Sequence, residues 1–72
     1  MFSSGTFVQV EYENGKKVRF VVYMVENAKV RNLGSYMHKG HGSQARTEAI
    51  EWAQEAAERI GLTYLGVLDL QG

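Results

Sequence analysis

Two stretches of this chain alternate apolar and polar residues with a period of two. From Thr6 to Tyr12, Val8, Val10 and Tyr12 interleave with Phe7, Gln9 and Glu11. From Lys17 to Val25, Val18, Phe20, Val22 and Met24 take one side, and Lys17, Arg19, Val21, Tyr23 and Val25 take the other. A period of two is the signature of a half-buried strand. Glu13-Asn14-Gly15-Lys16 joins the two runs, and Asn-Gly is the strongest short hairpin signal. A two-residue turn on Asn14-Gly15 sets Val10 opposite Arg19, which mixes core and solvent sides. A three-residue loop, Glu13-Asn14-Gly15, sets Val10 opposite Val18, Val8 opposite Phe20, Glu11 opposite Lys17 and Gln9 opposite Arg19. Face purity therefore predicts the bulged, three-residue hairpin.

Glu26-Asn27 reads as a second turn. Ala28 to Met37 reads as a third, less regular strand, with Gly34 marking a bulge. His38-Lys39-Gly40-His41-Gly42 has no apolar period and reads as a loop. A change to helical spacing follows. Ser43 is a candidate N-cap. Ala45, Ala49, Ala53, Ala56, Ala57 and Ile60 fall on one stripe, flanked by Ile50 and Trp52, with Glu51, Glu55 and Glu58 opposite. So small a stripe lets a helix backbone lie close to a sheet. Gly61 suits a left-handed helix end, with Leu62 as its hydrophobic contact. Leu62 to Leu70 reads as a fourth strand whose buried face the pattern leaves open.

The order β-β-β-α-β predicts a two-layer α+β domain spanning residues 1–72: a mostly antiparallel four-stranded sheet with one helix packed on one face. Three antiparallel strands place the third parallel to the first. The crossover helix returns the fourth strand parallel to both, beside either edge.

Composition narrows the function classes. The 72 residues contain no Cys, so no disulfide supplements a small core. No apolar run approaches the ~20 residues of a membrane span. Met1-Phe2-Ser3-Ser4-Gly5 has neither a basic n-region nor a long h-region. The expectation is a soluble, cytoplasmic protein with no membrane partner. The formal charge is zero, but it is sorted along the chain. Lys16, Lys17, Arg19, Lys29, Arg31, Lys39 and Arg46 stand against Glu26 alone, a net +6 between Gly15 and Arg46. The segment before carries −2 and the segment after −4. Sorting of this kind points to partners.

One helix covers one face, so the other should carry Phe7, Gln9, Glu11, Lys17, Arg19, Val21, Tyr23 and Val25. Lys29 and Arg31 join them if the third strand keeps register. Such a face reads either as a solvated antiparallel surface or as a recognition surface, being more apolar than solvation requires. Lys and Arg could neutralise phosphates while Tyr23 stacks on a base. In a protein interface, Tyr and Arg are frequent anchors. A homodimer through the open face satisfies the same observation. The acidic helix is a second surface, suited to a basic protein or simply to solvent.

Catalytic chemistry finds little footing. His38 and His41 are too few for a zinc site without further ligands. Gly40-His41-Gly42-Ser43 enters a helix N-terminus, which can hold an anion, but lacks P-loop or dinucleotide spacing. No group of three supports acid–base or nucleophilic chemistry. The chain reads as a non-enzyme without cofactor or metal.

Two resemblances add to this. Tyr12-Glu13-Asn14-Gly15-Lys16-Lys17, the turn near Asn27-Ala28-Lys29, and Thr47 and Trp52 in the helix resemble small phage anti-CRISPR proteins of the type I-F class. The likeness covers a little over half of the chain. It implies a phage-encoded, non-enzymatic inhibitor that binds a host protein or protein–RNA complex. Leu33-Gly34-Ser35-Tyr36 with Thr47-Glu48-Ala49 and Ala56-Ala57 looks like the third strand and helix of AP2-type and integrase arm-type DNA-binding domains. That likeness implies a sheet that enters the major groove, with nucleic acid as the alternative partner. Together these readings single out Tyr12, Lys17, Arg19, Tyr23, Lys29 and Arg31 as binding residues.

Overall fold

A computed structural model describes residues 4–38 and 43–71. Lys39 to Gly42, including the second histidine of the loop, lie outside them. Strands β1 (Gly5–Glu13), β2 (Lys16–Glu26) and β3 (Lys29–Met37) precede helix α1 (Ser43–Ile60), and β4 (Thr63–Leu68) follows it. The sheet order is β3-β2-β1-β4, with β1 antiparallel to β2, β2 antiparallel to β3, and β4 parallel to β1. The helix packs on one face, so the domain is two-layered α+β. The fourth strand takes the β1 edge. No helix among the described residues is long and apolar enough to cross a membrane.

The core lies between helix and sheet. Val8, Val10, Phe20 and Val22 meet Ala45, Ala49 and Ala53, and Ala57 continues the buried stripe. Ala56 is half-buried and Ile60 exposed, so the stripe is narrower than the helical wheel suggests. Tyr12, Leu33, Tyr36, Ile50, Trp52, Tyr64 and Val67 close the rim. Alanine keeps the helix backbone near the strands. The fully buried Thr6 hydroxyl accordingly reaches the Ala53 carbonyl oxygen, donating to it at 2.6 Å. The helix ends in a Schellman motif: Leu62 N–H donates to the Ala57 carbonyl at 2.8 Å, Gly61 N–H to Glu58 at 3.4 Å, and Gly61 has φ +74°.

The first hairpin differs from the expected three-residue loop. Asn14 (φ 54°) and Gly15 (φ 77°) form a two-residue turn of the type I′ kind, and Glu13 pairs with Lys16. Its backbone twist matches that of the strands, which favours it over the longer loop. Face purity still demands one extra residue, and β2 supplies it. The register shifts between Glu11 and Tyr12, leaving Val18 as a bulge between Lys17 and Arg19. Val10 then meets Phe20, Val8 meets Val22, and Glu11 meets Arg19. From Arg19 onward the expected parity holds, with different partners; Lys17, before the bulge, takes the opposite face.

Two more bulges follow. In β3, Val22 pairs with Gly34 and Tyr23 with Asn32, leaving Leu33 unpaired. Asn32 Oδ1 accepts from Gly34 N–H at 2.8 Å. In β4, Thr6 pairs with Tyr64 and Phe7 with Gly66, leaving Leu65. The second hairpin turns on Asn27 (φ 53°) and Ala28 (φ 64°), so Ala28 belongs to the turn and not to β3.

Two substitutions probe this framework. Ala28 holds a left-handed conformation that disfavours a Cβ. Ala28→Gly should therefore stabilise the domain by about 0.5–1 kcal/mol, seen as a higher denaturant midpoint. Gly34 has φ +147°, and a Cβ there would overlap the Trp52 ring. Gly34→Ala should destabilise by about 1–3 kcal/mol and shift the emission of Trp52, the chain's one tryptophan.

Candidate functional site

The uncovered sheet face is built by alternation and then edited by the bulges. Pairing places Gly5, Phe7, Gln9 and Glu11 of β1 with Arg19, Val21, Tyr23 and Val25 of β2 on this side. From β3 come Val30, Asn32, Ser35 and Met37; from β4, Thr63, Gly66 and Leu68. Leu65 joins them, since a Cβ built on Gly5 would crowd its side chain.

Of the six binding residues singled out from sequence, Arg19 and Tyr23 lie on this face. Lys17 pairs with Tyr12, and both take the helix side, because the Val18 bulge reverses the alternation. Lys29 pairs with Glu26 and Arg31 with Met24, also on the helix side, because the Leu33 bulge does the same in β3. The expectation of a basic open face is thereby corrected. Arg19 remains, and its guanidinium donates to Glu11 Oε1 at 2.7 Å. Glu13 and Lys16 oppose each other at the hairpin end. The face carries balanced charge.

Its character is apolar. Phe7 and Tyr23 stack with ring centroids 5.3 Å apart and planes 26° from parallel. Val21 is only 2% exposed although no helix covers it, and it is outside the helix-side cluster. Gln9 and Ser35 flank it across the strands. Val30 (61% exposed), Met37 (51%), Leu65 (44%) and Leu68 (42%) stand on the two outer strands. Phe7, Leu65, Gly66, Val67 and Leu68 line a shallow concavity of about 270 Å³. Val30, Met37, Leu65 and Leu68 are not among the residues singled out from sequence. In β4 the apolar residues occupy both parities, so alternation alone could not place Leu65 and Leu68.

Other features lie on the helix side. Tyr12 donates its hydroxyl to Asp69 Oδ1 at 2.8 Å, tying β1 to the segment after β4. That hydrogen bond, with burial and the Asp69 charge adding to it, raises the Tyr12 pKa above its ordinary value of 10.0. Burial also raises the pKa of Tyr64, while the Arg46 charge opposes the shift. Trp52 meets Tyr36 edge-on at 5.6 Å, and the two join Glu48, Glu51, Glu55 and Arg59 around a groove of about 390 Å³. His38 donates its backbone N–H to Val18 at 2.9 Å, and its ring meets Phe20 edge-on at 5.8 Å. Its Nδ1 is buried with no hydrogen-bond partner among the described residues. Among those residues no three His, Cys, Asp or Glu side chains gather where they could hold a metal ion.

The chain matches no protein-family model, no curated protein and no solved structure.

The Tyr12 contact carries a pH signature. A phenol whose pKa is raised on folding contributes stability that is full below its unfolded value and lost as pH rises through the folded one. Wild-type stability should therefore decline as pH rises above about 10, and decline less steeply in Tyr12→Phe, as read from urea midpoints on either side of that pH.

Proposed function

We propose that this chain is a small, non-enzymatic protein-binding module that docks through the open face of its sheet. The observation that carries this reading is the composition of that face. Exposed Val30, Met37, Leu65 and Leu68 frame the stacked Phe7–Tyr23 pair, and the charges among them stand in opposed pairs. Protein interfaces have this anatomy, with aromatic and apolar residues at the centre and charge kept to paired or peripheral positions. A solvated face has no need of so much apolar surface.

The more specific form of the reading is an inhibitor of a host defence complex, encoded by a phage. It rests on the resemblance of the Tyr12–Lys17 motif to type I-F anti-CRISPR proteins. In the fold this motif forms the first hairpin end, where Asn14 and Gly15 adopt positive φ. The nucleic-acid reading drew on Lys17, Arg19, Lys29 and Arg31 sharing one face. With Arg19 alone there, and paired to Glu11, that support is gone.

The test is binding of the purified chain to a type I-F surveillance complex and, separately, to duplex DNA. Capture of the complex should weaken at least about tenfold in Leu68→Glu, because docking would bury the new carboxylate against apolar surface without a partner. Duplex DNA should not bind at about 50 mM salt. Tight DNA binding that collapses between about 50 and 200 mM salt would replace this reading with the nucleic-acid one. Undiminished capture by Leu68→Glu would move the interface off the open face.

A further inference from the structure

We propose that in the free protein the open face is covered by a second copy of this chain, which any foreign partner docking there would have to displace. The inference rests on reading that face as a protein interface, and four observations narrow the occupant. The first is the thinness of the monomer's core. The buried apolar residues among those described are four alanines, four valines and Phe20. Small domains with cores of this kind are commonly reinforced by disulfides, a structural metal or oligomerisation. The chain has no cysteine, and its described residues assemble no metal-binding group. Oligomerisation is a reinforcement open to this fold, and a second copy is the partner every copy has.

Area is the second. Strands about 4.8 Å apart and rising about 3.3 Å per residue give a four-stranded face on the order of 600 Å² in projection. Side-chain relief adds to this, bringing it near the ~800 Å² that each partner contributes to a stable interface. Four of the six exposed large apolar residues among those described stand where a second sheet would rest: Val30 and Met37 along one side, Leu65 and Leu68 along the other. A two-fold axis lying in the interface plane sets these outer strands on outer strands, so apolar side chains meet apolar side chains.

The third is charge. Glu11 and Arg19 neutralise each other, and Glu13 faces Lys16 across the hairpin. Two copies of a balanced face approach without net repulsion. A strongly charged partner would find no complement there.

The fourth is that the sheet edges are guarded. β3 carries Lys29 and Arg31 and a bulge at Leu33; β4 is six residues long and bulged at Leu65. Bulges, edge lysines and short edge strands all discourage a further chain from extending a sheet. Association by side-chain packing on the face remains open to this fold.

The test is sedimentation equilibrium of the full chain from about 1 to 500 μM, spanning the affinities of ordinary homodimers. The chain weighs 8.1 kDa, and the expected result is twice that mass. Leu68→Glu and Val30→Lys, both at exposed positions, should each raise the dimer dissociation constant at least about tenfold with far-UV circular dichroism unchanged. A monomer throughout that range overturns the proposal. So does a dimer whose dissociation constant neither variant moves. A monomeric chain that still loses a foreign protein partner in Leu68→Glu overturns the second copy and leaves the protein-interface reading standing.

Discussion

The Thr6 hydroxyl reaches the Ala53 carbonyl because nothing larger than a methyl group stands between that turn of the helix and the sheet. This close approach organises the rest of the domain. Ala45, Ala49, Ala53 and Ala57 recur every four residues and hold one helical face against the strands. A larger residue in this ladder would lift the helix away from Thr6. A hydroxyl left buried without its acceptor costs about 1–3 kcal/mol. The same approach brings Trp52 onto Gly34, where only a residue without a side chain leaves room for the ring. Sheet and helix thus fit through small residues on both sides, at opposite ends of the sequence.

Close packing also makes the faces of the sheet unequal, and strand register obeys that inequality. Every residue under the helix must be apolar or fully hydrogen-bonded. A slip of one residue would turn Val8, Val10, Phe20 and Val22 outward together. The chain meets this requirement with bulges at Val18, Leu33 and Leu65. Each bulge reverses the alternation on one side of it. Val18 sends Lys17 to the helix side, and Leu33 sends Lys29 and Arg31 there. The charge sorting along the sequence is therefore undone in space. What remains on the open face is an apolar field with paired charges.

Much of this was legible in the residues. The β-β-β-α-β order, the alanine stripe, the Gly61 helix end and the parity of the first hairpin all follow from local signals, since periodicity and turn chemistry act over a few residues. The exact partners did not follow. Parity requires one extra residue between Tyr12 and Phe20 but does not say where. The loop and the strand compete for it, and the twist of the Asn14-Gly15 turn decides for the strand. Gly34 signalled irregularity in β3, yet the unpaired residue is its neighbour Leu33. Alternation puts Arg19 and Tyr23 on the open face, and they lie there. Lys17, Lys29 and Arg31 were misplaced by the bulges. Leu65 and Leu68 went unnoticed because an apolar run hides its own alternation.

The bulges have a second effect, on how this sheet can meet another molecule. An open sheet offers two routes to a partner: backbone hydrogen bonds along an edge, or side chains across a face. Leu33 and Leu65 interrupt the pairing of the two outermost strands, and β3 adds Lys29 and Arg31 near its start. Those interruptions disfavour the edge route. They also orient the face. With Leu65 as the extra residue, Val67 returns beneath the helix while Leu68 turns to the open side. With Leu33 as the extra residue, Val30 turns outward in place of Lys29 and Arg31. The devices that close the edges are therefore the same ones that make the face apolar. A sheet built this way offers another molecule apolar side chains across its face more readily than a free hydrogen-bond ladder along its edge.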